Sequence, residues 1–195
     1  MKHGVYVREQ KTSVSTPVVA ESGVPFVVGT APVHSAESPA ALFTPVLCSD
    51  WEDAVKKLGY SDDWRTYTIC EVMYSHFKLF QRQPIIFCNV LDPSTNKEAV
   101  AGAEVTLSGK QAKLPFDAIL SSLVVKTASS SESPLVKDTD YAAYYSDGNL
   151  IVETIEDGAA KAATKLYISY DKIKTADIDD DDIVKGIEAI DLCMA

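Results

Sequence analysis

Residues 24–29 read VPFVVG and residues 85–91 read IIFCNVL, and these two stretches decide the fold. Each is a short, continuous apolar run, which is typical of a strand buried on both faces in a parallel sheet. Helical patterns lie between them, so the order predicts a parallel pair joined by a right-handed crossover. Two strands are too few for a sheet, and further strands are expected from elsewhere.

The segment between the two strands predicts a loop and two helices. Residues 31–45 are rich in proline and alanine, which indicates a loop. Asp50 is a favoured N-cap and Gly59 a favoured residue just past a helix end, so a helix is predicted between them. Ser61 is the expected cap of a second helix that reaches residue 80. Its apolar side chains recur three or four residues apart along one face, at Cys70, Met73, Tyr74, Phe77 and Phe80.

The remaining residues change to short segments of alternating polarity, with the clearest hairpin signal at Asp147-Gly148. We interpret residues 98–176 as a small antiparallel β domain inserted into the first domain, with residues 129–133 as a flexible excursion. The predicted class is α+β (mixed α/β). Its parts are an arm at residues 1–22, a partial α/β body at 23–97, the inserted β domain, and a returning helix at 177–195.

The amino-terminal arm begins with strand-forming sequence that has nothing nearby to pair with. Gly4, Val5, Tyr6 and Val7 suit a pleated strand. Residues 8–22 are polar, rich in serine and threonine, and too poor in large apolar groups to fold alone. About sixteen extended residues reach roughly 50 Å, more than the radius of a domain of this size. The arm is therefore long enough to pair with a neighbouring subunit.

Charge and hydropathy exclude two classes of partner. The net charge is −10, and almost all of it lies after Lys97, where nine basic residues face eighteen acidic ones. Nucleic acid is not expected as a partner, because it requires clustered lysine and arginine. No run approaches the roughly 20 apolar residues that span a bilayer, and the amino terminus lacks a signal-peptide core. The expectation is no membrane insertion and assembly in a cytoplasm.

Catalytic and metal-binding motifs are absent from the sequence. It contains no glycine-rich phosphate loop, HExxH or GxSxG. Cys70 and His76 would lie about 240° apart on a helix, on different faces, so they do not form a nucleophile–base pair. Asp177, Asp179 and Asp181 resemble a calcium loop but lack its central glycine and ligand pattern, and we interpret this run as helix-capping. No catalytic site, cofactor or metal is expected.

Cysteines and tyrosines have structural interpretations. The cysteines show no CxxC spacing and predict buried free thiols, at Cys48, Cys70, Cys88 and Cys193. A group of tyrosines in the β domain allows a carbohydrate- or receptor-binding face, through Tyr141, Tyr144, Tyr145, Tyr167 and Tyr170. Ordinary packing is favoured, because neighbouring strand residues such as Tyr144 and Tyr145 point to opposite faces.

Several segments, in collinear order, resemble the amino-terminal part of contractile tail sheath proteins of myophage-type prophages and phage-tail-like bacteriocins. The resemblance rests on GVYVRE (4–9), TSVSTPV (12–18), SGVPFVVGTAPVH (22–34), PVLCSDWEDAVKKLGYSDDW (45–64), YTICEVMYSHFKLF (67–80) and PIIFCNVLDP (84–93). It continues more loosely through DYAAYYSDGNLIV (140–152), LYISYDKIK (166–174) and GIEAIDL (186–192). Members of that family continue well past this point, so the resemblance implies a fragment or one half of a split subunit.

The resemblance implies a structural subunit of the sheath that surrounds a tail tube and contracts to drive it through a cell envelope. The energy would come from interfaces that reform, not from nucleotide hydrolysis. Implied partners are other sheath subunits in stacked rings, the tail tube protein, the baseplate and the tail terminator. The implied location is a virion tail or phage-tail-like particle assembled in the bacterial host cytoplasm.

The resemblance also gives the arm its role. Gly4, Val5, Tyr6 and Val7 would form a linking strand that adds to a sheet in the carboxy-terminal domain of neighbouring subunits, by β-augmentation. The tether would begin with Lys11, Thr12, Ser13, Val14, Ser15, Thr16 and Pro17. The alternative function is a soluble adaptor or binding module that uses the β domain to hold a protein or glycan.

Overall fold

A computed structural model describes residues 23–129 and 133–193. Its first body is a three-stranded sheet in the order β1-β3-β2, where β1 is Phe26–Gly29, β2 is Pro45–Cys48 and β3 is Ile85–Asn89. β1 pairs with β3 in parallel, which confirms the predicted pair. β2 pairs antiparallel with the other side of β3. The sequence does not predict β2, because its four residues directly follow a proline-rich loop and carry no alternating pattern.

Helix α1 spans Trp51–Leu58, as the capping residues predict. The Asp50 side chain accepts a hydrogen bond from the Asp53 backbone N–H at 2.9 Å. Gly59 ends the helix with a φ of 74°, and a Cβ there would collide with the Pro32 carbonyl oxygen. Both the backbone conformation and the close approach therefore require glycine at this position.

Helix α2 spans Thr68–Met73 and begins later than predicted. The assignment of Ser61 as its cap is wrong, because the cap comes from the end of β1. The Thr30 hydroxyl accepts from the Thr68 N–H at 3.0 Å, and the Thr30 carbonyl accepts from the Ile69 N–H at 3.1 Å. These bonds satisfy donors that a helix start leaves free, across a separation of 38 residues that local sequence rules do not cover.

The helix continues as a π-helix over Tyr74–Leu79, and this changes the predicted apolar stripe. Cys70, Met73 and Phe77 are buried as expected, but Phe80 is 67% exposed. The Phe80 N–H donates to the Ser75 carbonyl, five residues earlier, at 2.9 Å. The wider π-helical turn alters the angular spacing of the side chains. The α-helical spacing therefore predicts the wrong orientation for Phe80, the last residue of the stripe.

The β domain contains two three-stranded antiparallel sheets, β4-β9-β6 and β5-β8-β7, whose side chains share one core. The strands are β4 Lys97–Thr106, β5 Gln111–Pro115, β6 Val124–Lys126, β7 Tyr141–Ser146, β8 Asn149–Thr154 and β9 Lys165–Ile173. β5 is not predicted by the sequence. The Asp147-Gly148 hairpin is confirmed, with φ values of 49° and 68° at its two turn residues.

Helix α3 spans Asp180–Glu188 and continues as a 3₁₀ helix over Ala189–Cys193. Asp179 and Asp182 form a reciprocal capping box, which confirms the helix-capping interpretation of the acidic run. Gly186 packs against Val28 of β1 and Val90 just after β3. α3 thus covers one face of the first sheet, and the other face carries the core shared with α1 and α2. These elements confirm the α+β class.

Three of the four cysteines are buried, but Cys193 is exposed, so the prediction of four buried thiols is wrong at that position. Burial raises the pKa of Cys70 to about 12 and that of Cys48 to about 11. Cys193 lies in the last described helical turn, and its side chain is exposed there.

We therefore expect a single thiol of the native protein to react with Ellman's reagent at pH 8. Buried thiols react slowly because the reagent cannot reach them and because a high pKa leaves little thiolate. All four should react after unfolding in guanidinium chloride. Replacing Cys193 by serine should remove the fast reaction, and a fast reaction that persists in this variant would contradict the assigned burial.

Candidate functional site

The arm predicted to link subunits lies outside the described residues. This applies to Gly4, Val5, Tyr6 and Val7 and to the whole tether from Lys11 to Pro17. The structure therefore leaves the linking strand as a prediction. The described residues show instead the surfaces that the rest of the chain offers for association.

β1 and β2 are the edge strands of the first sheet as the described residues show it. Among the described residues, β1 and β2 each pair only with β3, on opposite sides of it. The outer sides of β1 and β2 thus present backbone N–H and C=O groups without a strand partner in residues 23–129 and 133–193. Open edges of this kind are sites at which a strand from another chain can add.

Apolar side chains on and next to α3 face outward. Helix α3 and the 3₁₀ helix after it bury only Gly186 and Ala189 among their described residues. Four large apolar side chains of these helices are exposed, up to 66% at Leu192: Val184, Ile187, Ile190 and Leu192. Leu47 of β2 is exposed as well. We call these five residues the α3 outer surface; exposed apolar side chains are typical of an interaction surface where they form a contiguous patch.

The first body and the β domain meet at a seam with its own apolar cluster, which includes Tyr67, Cys70, Leu91, Ile119 and Ile173. Four aromatic rings also meet there. The His34 ring lies 5.9 Å from Tyr67, 5.5 Å from Phe116 and 5.7 Å from Tyr145, between ring centroids. The Tyr145 hydroxyl donates to the Ala118 carbonyl at 2.7 Å and so fixes its own position. The seam is packed as a small core between the two bodies.

Three buried polar atoms at this seam have no hydrogen-bond partner among the described residues: His34 Nδ1, the Tyr67 hydroxyl and Asp117 Oδ1. The His34 Nε2–H donates to the Phe116 carbonyl at 3.0 Å, which leaves Nδ1 as an acceptor without a donor. Burial lowers the pKa of His34 and raises the pKa values of Tyr67 and Asp117. Each unsatisfied buried group lowers the stability of the fold by about 1–3 kcal/mol. A purely structural seam would therefore be more stable with apolar groups at these positions.

A small cavity of about 230 Å³, which we call the seam pocket, opens beside these groups. Asp63, Thr66 and Tyr67 line it from the first body, and Pro115, Phe116 and Asp117 line it from the β domain. Asp63 Oδ1 accepts from the Thr66 N–H at 3.3 Å, which holds that carboxylate in a tight turn. The pocket is thus built by both bodies together.

Residues predicted from sequence to have no catalytic role take structural positions. Cys70 is fully buried with a raised pKa, the opposite of an activated nucleophile. His76 Nδ1 lies 3.4 Å from the Ser75 hydroxyl. Tyr141, Tyr145 and Tyr170 pack in or against the core of the β domain, whereas Tyr144 is exposed, so Tyr144 and its neighbour point apart as predicted.

Residues 23–129 and 133–193 show neither a metal-binding cluster nor a membrane-spanning helix. No group of three or more potential metal-ligating side chains occurs in these residues. Asp177 forms an ion pair with Lys174 at 2.8 Å, and Asp179 caps α3. None of the described helices combines the length and the apolar character needed to cross a bilayer.

Sequence reasoning missed the residues of the seam. His34, Tyr67 and Asp117 lie far apart in the chain and belong to no motif. The one available signal was weak, namely that His34 and Tyr67 are polar-tipped aromatic residues inside segments with apolar neighbours. Their proximity depends on how two bodies dock, which no local pattern encodes.

Comparisons with known proteins give one relative. The chain is 29% identical over 182 residues to the tail sheath protein of Burkholderia phage BcepMu. The aligned region covers 90% of this chain and 36% of that protein. The chain thus spans about a third of the length of the relative it matches. No family model matches the chain. No solved structure matches it either. Over nearly its whole length, the chain is related in sequence to a phage tail sheath protein.

Proposed function

We propose that this chain is a structural subunit, or part of one, of the sheath of a contractile phage tail or phage-tail-like particle. The observation that carries the proposal is the similarity to a tail sheath protein over 90% of the chain. Its proposed partners are other sheath subunits, the tail tube protein, the baseplate and the tail terminator. Its proposed location is the tail of a particle assembled in the host cytoplasm.

The described surfaces support a role in assembly. Two sheet edges without a strand partner among the described residues lie on the same body as the α3 outer surface, and both kinds of surface favour contact with further polypeptide. Subunits joined by many such contacts could rearrange from one packing to another and release free energy without a nucleotide. Contraction by this route is the mechanism we propose.

The arm supplies the proposed link between subunits. Gly4, Val5, Tyr6 and Val7 would add as a strand to a neighbour's sheet, where backbone hydrogen bonds give affinity with little demand on side chains. Residues 11–22 would tether that strand to the body, so subunits stay joined while their bodies move. We also propose the division into arm, body at 23–97, inserted domain at 98–176 and returning helix at 177–195, with the acidic β domain facing outward.

Proline substitution in the arm tests the link. Two variants are expressed from the gene as it occurs in its source. Tyr6→Pro changes the linking strand, and Ser15→Pro, in the tether, is the matched control. Proline removes a ladder hydrogen bond and is poorly tolerated within a strand, whereas the tether already contains Pro17. We expect Tyr6→Pro to abolish tubular polymers in negative-stain micrographs and Ser15→Pro to leave them.

Circular dichroism should show the same folded content in both variants, because the described cores are built from residues of 23–129 and 133–193. Polymers that persist in Tyr6→Pro, or in a deletion of residues 1–20, would overturn the linking-strand assignment. A parent protein that remains a small soluble particle under all assembly conditions, and binds a protein or glycan, would favour the adaptor instead.

A further inference from the structure

We propose that the seam pocket holds the guanidinium group of an arginine side chain presented by a partner protein. Two carboxylates, Asp63 and Asp117, line the pocket, and no basic residue is among its described lining residues. A carboxylate only accepts hydrogen bonds, and a guanidinium only donates them, through five N–H groups in a planar fork. The chemistry of the pocket therefore complements arginine.

Two lining residues also have unused acceptors. Tyr67 is only 2% exposed, and neither its hydroxyl nor Asp117 Oδ1 has a hydrogen-bond partner among the described residues. After burial, the charge of Asp117 is the next cause of the raised pKa of Tyr67, and both residues line the pocket. Both oxygens are buried, so a guanidinium that enters the pocket donates to them only when the walls move to expose them.

Size and wall chemistry favour a side chain over a small-molecule ligand. The cavity of about 230 Å³ is below the roughly 300–1,000 Å³ typical of small-molecule sites. Pro115 and the Phe116 ring give it an apolar wall. A guanidinium stacks on such a wall better than an ammonium does, because it is planar and more weakly hydrated. Arginine is therefore favoured over lysine.

A lysine that acts on Asp117 through its charge is already engaged in an ion pair. Lys172 lowers the pKa of Asp117 through its charge, but its Nζ forms an ion pair with Glu98 Oε1 at 2.8 Å. It is not a lining residue of the pocket. Because no arginine or lysine is among the described residues that line the pocket, we assign the donor to a partner protein. This conclusion does not depend on the sheath role, since the partner of an adaptor could supply the same group.

The test is a titration of the ¹⁵N-labelled protein with Nα-acetyl-arginine methylamide, followed by amide chemical shifts. We expect saturable shifts at Thr66, Tyr67, Phe116 and Asp117, with an affinity in the millimolar range. The citrulline analogue, which has the same shape without the charge, should give none, and the lysine analogue should bind at least about threefold more weakly. Asp117→Asn should weaken arginine binding at least tenfold, whereas the exposed control Asp157→Asn should not change it.

Three results would overturn the proposal: no saturable shift, equal shifts with citrulline, or unchanged binding in Asp117→Asn. Lysine binding as tight as arginine binding would overturn the choice of guanidinium. If the amide spectrum of Asp117→Asn loses its dispersion, that variant is unfolded, and Tyr67→Phe tests the site instead. This substitution removes one acceptor and keeps the ring. We expect Tyr67→Phe to bind arginine severalfold more weakly, and full binding would count against the site.

Discussion

Replacing Asn89 by leucine is expected to lower the free energy of unfolding by about 3–5 kcal/mol, a large part of the roughly 5–15 kcal/mol typical of a natural domain. Asn89 is 1% exposed at the end of β3. Its Oδ1 accepts from the Ala31 N–H at 3.0 Å and from the Leu91 N–H at 3.1 Å. Its Nδ2 donates to the Leu91 carbonyl at 2.7 Å. Leucine leaves all three backbone groups buried without a partner.

Asn149→Leu is the matched control. Asn149 lies beside the exposed hairpin turn, and its side chain makes one hydrogen bond, to the Asp147 carbonyl at 2.8 Å. Water can replace that bond, so we expect a loss of at most about 1 kcal/mol. Urea denaturation followed by circular dichroism measures both variants. An equal loss of unfolding free energy in Asn89→Leu and Asn149→Leu would show that the Asn89 side chain does not join the ends of β1 and β3.

The central strands illustrate what the sequence predicts well. β1 and β3 are short apolar runs, which predicts a parallel pair. β3 is mostly buried as expected, whereas three of the four β1 residues are only half-buried. α1 follows from Asp50 and Gly59, and the 147–148 hairpin from its turn residues, because each of these signals acts over a few residues. The class and the parallel pair are predicted correctly for the same reason.

Features that depend on distant residues are predicted poorly. The start of α2 depends on Thr30, which replaces a local cap, and the end of the apolar stripe depends on a π-helix. β2 and β5 exist because they have a partner strand, not because their own sequences stand out. The seam pocket requires Tyr67 and Asp117 to meet across two bodies, which no spacing rule provides.

Replacing Gly186 by leucine is expected to detach α3 from the first sheet. A Cβ on Gly186 would lie 2.5 Å from Val28 Cγ1 and 2.7 Å from Val90 Cγ1. Valine side chains are stiff, so the helix must move instead, and the rest of the leucine side chain adds to the overlap. We expect a loss of about 3 kcal/mol, at the upper end of the usual cost of overpacking. Urea denaturation and amide hydrogen exchange measure the effect.

Glu188→Leu introduces the same side chain into the exposed face of the same helix and should change stability by no more than about 0.5 kcal/mol. In Gly186→Leu, amides of α3 should lose protection first, whereas those of Leu166 and Ile168 should keep theirs, because they belong to the separate core of the β domain. A stable Gly186→Leu would contradict the close packing of α3. A loss of protection in both bodies at once would mean that α3 and the seam unfold as one cooperative unit, so that the α3 outer surface and the seam pocket could not respond to partners independently.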